Sequence, residues 1–87
     1  MKKAILDDIV GTAVQLAYEY EGWGCEHVYD MYEAVKTMRK KVGYTVEDLH
    51  DVAHLAQKKK DSGMKYSEAV TEITEEINER LRKGGRI

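Results

Sequence analysis

Hydrophobic side chains recur at three- and four-residue steps in four segments of the chain, which is the spacing of an amphipathic α-helix. This pattern predicts helices over residues 3–21, 26–42, 46–60 and 68–83, followed by a frayed tail over residues 84–87. Glycines stand between the segments, where a helix end favours a residue that reaches positive φ, and the chain contains no proline. The sequence therefore predicts an all-α fold, a small bundle of four amphipathic helices with short turns, in one domain spanning residues 1–87.

The apolar faces of the four predicted helices differ in width. The first helix has the widest face, so we expect it to be the most buried, whereas the fourth has a narrow stripe and is expected to be peripheral. Thr45 and Ser67 precede the third and fourth helices as candidate N-caps. The predicted inward stripe of the second helix is Val28, Met31, Tyr32, Val35, Met38 and Val42, and that of the third is Leu49, Val52, Ala53 and Ala56.

Composition narrows the class of protein. The chain has 87 residues, a formal net charge of −2 and one cysteine, so an intramolecular disulfide is excluded. No stretch approaches the ~20 apolar residues of a membrane span. We expect a small soluble cytoplasmic protein with no cofactor and no membrane partner, and its small size is compatible with a homodimer.

Cys25 is the one candidate nucleophile. It lies near the predicted start of the second helix, where a helix N-terminus favours thiol reactivity. No base with an orienting group is evident, since His27 is two positions along the helix and points in another direction. We interpret Cys25 as a packing residue, predict no catalytic residue and expect a protein that is not an enzyme.

Aromatic side chains suggest a protein-binding surface. The chain has six tyrosines, one tryptophan and no phenylalanine, and rings with a polar tip suit protein interfaces. Trp23, flanked by two glycines, either folds back to cap the bundle end or recognises a partner, and the two roles are compatible. Tyr29 and Leu55 are predicted to project away from the inward stripes. The predicted protein-binding residues are Trp23, Tyr29, Leu55, Tyr18, Glu19 and Glu21.

The leading hypothesis is therefore a small non-enzymatic interaction protein, such as an adaptor, an inhibitor or a regulatory subunit. It would bind a protein partner through its helix faces and the loop around Trp23, with buried apolar anchors supplying the affinity.

Basic residues provide a second hypothesis. If the helices run up and down, lysines and arginines gather at one pole of the bundle, where they favour nucleic acid and a DNA-binding transcriptional regulator. Complementation of the helix dipole at helix C-termini explains many of the same positions. The candidate nucleic-acid-binding residues are Lys2, Lys3, Arg39, Lys40, Lys41, Arg80, Arg82 and Lys83.

Two histidines provide a third hypothesis, a metal-binding helical protein. His50 and His54 are four positions apart, and Glu47 precedes His50 by three, so all three share one face of the third helix. Glu-x-x-His pairs of this kind also hold metal in helical di-iron sites. We favour the interpretation that the two histidines are solvated neighbours of Glu47, Asp51 and Lys58, which explains the pattern without a metal.

Overall fold

Four helices make up the computed structural model, which describes residues 2–39 and 41–85. They are α1 (Lys3–Glu19), α2 (Cys25–Arg39), α3 (Val46–Asp61) and α4 (Tyr66–Arg82). The described residues contain no strand. The predicted all-α bundle of four helices joined by short turns is confirmed.

The first helix occupies the centre of the bundle, with α3 packed most extensively against it and α4 next. Its wide apolar face is buried, as predicted, and each buried methylene group contributes about 0.8 kcal/mol to folding. The Lys60 ammonium donates to the Ala17 carbonyl at 3.0 Å, so the ends of α3 and α1 lie together. The buried residues of α1 are Leu6, Ile9, Val10, Thr12, Ala13, Val14, Leu16 and Ala17.

The start of α3 is fixed by its predicted cap. The Thr45 hydroxyl accepts from the Asp48 backbone N–H at 3.1 Å, and the Asp48 carboxylate accepts from the Thr45 N–H at 3.5 Å. This reciprocal pair satisfies two backbone donors that a helix start leaves free. The four predicted inward residues of α3 are all buried, so the interpretation of this helix is confirmed.

The expectation that the fourth helix is the peripheral one is wrong, because α2 buries less of itself. Only Val28 and Val35 are buried in α2, and Met38, predicted to point inward, is 76% exposed. The stripe of α4 lies against both α1 and α3, where Ile73 and Ile77 are 0% exposed. By contrast, α2 ends at Arg39, three residues earlier than predicted, beside Asp8 of α1.

Two predicted helix ends also need correction. The fourth helix begins at Tyr66, because the Glu68 carboxylate accepts from the Lys65 N–H at 3.3 Å, so Ser67 is not its N-cap. At the other end of α4, the Gly85 N–H donates to the Arg80 carbonyl at 2.8 Å. The helix therefore ends at Arg82, one residue earlier than predicted, and residues 84–85 form a hydrogen-bonded turn after it. Fraying of the tail stays a prediction, and residues 86–87 lie outside the described residues.

Candidate functional site

Trp23 folds back from the turn between α1 and α2 onto α3. Its indole N–H donates to the Gln57 side-chain oxygen at 2.8 Å, and its ring centroid lies 5.0 Å from that of His54. The ring is half-buried and packs against the apolar core. This placement confirms the interpretation that Trp23 folds back against the bundle, while its recognition of a partner stays a prediction.

The side chains of Cys25, His50 and His54 form a row next to Trp23. The Cys25 Sγ lies 3.4 Å from His50 Nε2, which in turn lies 3.3 Å from His54 Nε2. Cys25 is exposed, so its interpretation as a packing residue is wrong: the first turn of α2 places its side chain at the surface beside α3. No local sequence pattern points to the neighbouring imidazole, because Cys25 and His50 are 25 positions apart.

The predicted metal ligands are only partly brought together. His50 and His54 are in contact, and Glu47 lines a groove with His50 but not with His54. Within residues 2–39 and 41–85, no group of three or more histidine, cysteine, aspartate or glutamate side chains is arranged to hold a metal ion. Metal binding by Glu47, His50 and His54 therefore stays a prediction without structural support.

An opening of about 540 Å³ lies between α2 and α3, and we call it the α2–α3 groove. Its surface is mostly apolar, with Val28, Tyr29 and Val46 contributing hydrophobic side chains. Tyr29 is 56% exposed, so a large ring stands open to solvent at the edge of the groove. The lining residues are Cys25, Glu26, Val28, Tyr29, Val46, Glu47, His50 and Asp51.

Of the predicted protein-binding residues, only Tyr29 lines this groove. The expectation that Leu55 projects outward is wrong, since its side chain is half-buried against the core. Tyr18 is also engaged within the protein: its hydroxyl donates to the Met64 carbonyl at 2.5 Å, and burial raises its pKa above 10.0. Glu19 and Glu21 are exposed but lie outside the groove.

Sequence reasoning missed most of the groove. The acidic residues Glu26 and Glu47 stand in the first turns of α2 and α3, where the helix dipole already accounts for them. Val46 is the first residue of the predicted third helix, and that position by itself indicates no binding role. No periodicity reveals a gap between two helices, because the gap depends on how they cross.

The proposed basic pole is largely neutralised by neighbouring acids. Arg39 forms an ion pair with Asp8, and Arg80 with Glu76 at 3.2 Å. Arg82 and Lys83 lie 3.6 and 3.7 Å from Glu79. Lys2, Lys3 and Lys41 are exposed, and Lys40 lies outside the described residues. Nucleic-acid binding stays a prediction, with less free positive charge than the sequence suggests.

Comparison with known proteins adds no relative. The chain matches no family model, no curated protein and no solved structure. Among the helices of the described residues, none has the length and apolar character needed to cross a membrane.

Proposed function

We propose that this chain is a small non-enzymatic interaction protein that binds a protein partner in the α2–α3 groove. The single observation that carries the proposal is an open apolar groove edged by an exposed aromatic ring, Tyr29. Apolar floors with aromatic edges are where the binding energy of protein interfaces concentrates.

The location of the groove supports the same function. It lies where α2, the least buried helix, meets the capped and well-packed α3. A partner would cover apolar surface that the bundle leaves open, and apolar burial contributes about 25 cal/mol per Å². An adaptor, an inhibitor or a regulatory subunit would each use such a surface.

The proposal is tested by selecting helical peptides from a display library against the purified chain and mapping the bound peptide by NMR chemical shifts. We expect the perturbed amides to lie in the first halves of α2 and α3. Tyr29→Ala should weaken binding by about tenfold, equivalent to ~1.4 kcal/mol. Met38→Ala is the matched control, because Met38 lies on the same helix outside the groove and has a larger exposed fraction than Tyr29.

Two outcomes would overturn the proposal. One is that no peptide is selected, and the other is that selected peptides perturb a different surface and bind the Tyr29→Ala variant as tightly as the original chain. Circular dichroism of both variants establishes that the fold is retained.

A further inference from the structure

We infer that the occupant of the α2–α3 groove is a cationic amphipathic helix, one with an apolar stripe flanked by lysine or arginine. This inference rests on the proposed function and specifies the chemistry of the partner. Two properties of the groove carry it, the nature of its walls and the charge of its rim.

The walls of the groove favour a helix over an extended peptide. Both walls are α-helices, whose backbone groups bond within the helix, and the described residues offer no strand edge to which an extended chain could bond. A helix satisfies its own backbone hydrogen bonds and needs only side-chain contacts from its binding site. The lining residues of α3 run from Val46 to Asp51, about 8 Å along the helix axis, which matches one or two turns of a docked helix.

The rim of the groove is acidic. Glu26, Glu47 and Asp51 are among its lining residues, which include no lysine and no arginine. No ion pair with a lysine or arginine involves these three carboxylates within the described residues, and Asp51 has only the His50 ring at 3.9 Å. An apolar floor with an uncompensated acidic rim is complementary to an apolar stripe with basic flanks.

Some acidic side chains elsewhere on the protein do have basic partners. Glu72 and Glu76 receive the Lys59 ammonium at 3.3 and 3.8 Å, and Glu79 lies between two basic side chains of α4. Other exposed acids, Glu75 among them, likewise have no lysine or arginine partner within the described residues, and what distinguishes the groove is that three such carboxylates line one apolar opening. A cationic ligand would supply these carboxylates with the positive charge that Lys59 supplies to Glu72 and Glu76.

A second copy of this chain would have to present its own basic residues to the groove, and several of these are already paired. At the end of α3, Lys59 contacts Glu72 and Lys60 donates to Ala17, whereas Lys58 is exposed. Arg80 and Arg82 of α4 are likewise paired with glutamates. Self-association is accordingly an outcome that the experiment tests.

The test compares three synthetic helical peptides that share one apolar stripe and differ only in the flanking residues, which are lysine and arginine, glutamine, or glutamate. We expect the cationic peptide to bind at least about tenfold more tightly than the glutamine peptide, and the glutamate peptide to bind most weakly. The difference should shrink toward about 1 M salt, where the Debye length is about 3 Å. A scrambled cationic peptide without the stripe should not bind.

Charge-removing variants locate the effect. In the Glu26→Gln, Glu47→Gln double variant, the preference for the cationic over the glutamine peptide should fall to about threefold or less. The reason is that two of the three carboxylates that line the groove lose their charge. The control is the Asp7→Asn, Glu75→Gln double variant, which removes the same charge from exposed positions outside the groove. This control should keep the full preference.

The outcomes separate the inference from the proposed function. If all three peptides bind equally and Tyr29→Ala weakens each, the groove binds helices but the inferred charge selectivity is wrong. If none binds in a manner that depends on Tyr29, the proposed function itself fails. If sedimentation shows a dimer of the chain alone that Tyr29→Ala dissociates, the occupant is a second copy and the inference is overturned.

Discussion

The indole of Trp23 and the side-chain amide of Gln57 join parts of the chain 34 positions apart, through an N–H to oxygen hydrogen bond of 2.8 Å. Gln57 also donates to Asp61 at 2.9 Å, which holds its amide in place to receive the indole. The turn between α1 and α2 is thereby attached to the later part of α3. This attachment sets where α2 begins, and with it the position of one wall of the α2–α3 groove.

Trp23→Ala should therefore destabilise the protein. The ring is half-buried, so we expect a loss of about 2 kcal/mol in the free energy of unfolding, below the 3–5 kcal/mol of a fully buried ring. Gln57→Ala, which removes this hydrogen bond and the exposed one from Gln57 to Asp61 but keeps the indole ring, should cost about 1 kcal/mol. Urea denaturation followed by circular dichroism measures both. Equal stability of the Trp23→Ala variant and the original chain would show that the attachment contributes nothing.

Gly11→Ala should stabilise the protein by about 1 kcal/mol. Gly11 lies inside α1, and a Cβ built there meets no atom within 4 Å, so alanine adds helix propensity without a clash. Gly63→Ala is the contrasting control, because Gly63 adopts φ +88 in the turn before α4 and alanine there should cost about 1 kcal/mol. Thermal denaturation of the two variants should shift in opposite directions.

Tyr44→Phe should be tolerated at neutral pH and should reduce the loss of stability at alkaline pH. The Tyr44 hydroxyl is buried and has no partner of good hydrogen-bond geometry in the described residues: the nearby Thr12 hydroxyl, which opposes the rise in the pKa of Tyr44, donates to the Asp8 carbonyl. Removing an unsatisfied buried hydroxyl is neutral or stabilising by up to about 1 kcal/mol.

The alkaline effect follows from the pKa of that hydroxyl. Burial raises the pKa of Tyr44 above 10.0, so the folded state keeps its proton at a pH where the unfolded state loses it. This contribution to stability is complete below pH about 10 and is lost as the pH rises through the raised pKa. Urea midpoints measured at neutral and alkaline pH should therefore change less in Tyr44→Phe than in Tyr66→Phe, whose ring is 44% exposed. The same change in both variants would contradict the prediction.

Alkylation of Cys25 should block the groove. Cys25 is the chain's one cysteine, is exposed and lines the α2–α3 groove, so a fluorescein maleimide reacts at a single defined place. We expect the label to weaken binding of the cationic peptide by at least about tenfold. The control is the Cys25→Ser, Ser67→Cys double variant, in which the label sits at an exposed position of α4 outside the groove. Labelling that variant should leave peptide binding unchanged.

Local sequence patterns predicted where the helices lie more accurately than they predicted which helix residues are buried. The reciprocal cap of Thr45 and Asp48 and the stripe that begins at Leu49 depend on residues within a few positions, and both are present in the structure. Met38 shows the limit, because periodicity identifies the face of a helix but not whether another helix covers it. The neighbouring helices do not cover α2 at Met38, whose side chain is 76% exposed.

The candidate site was harder to predict, since it arises between elements. The contact of Cys25 with His50 and the opening between Val28 and Val46 depend on the crossing of α2 over the start of α3. Tyr29 was found from the sequence because its position conflicts with the stripe of its own helix. Glu26 was not predicted as a groove residue, because the helix dipole already explains an acidic side chain in the first turn of a helix.

The sparse burial of α2, with Val28 and Val35 alone fully covered, has a dynamic consequence. Elements with few buried contacts open at a lower free energy than the whole molecule, so the amide hydrogens of α2 should exchange with deuterium ahead of those of α1 and α3. The α2 wall of the groove should therefore open locally more often than the α3 wall. A helix bound in the groove would bury part of the α2 surface that the bundle leaves exposed. Binding should therefore slow amide exchange along α2.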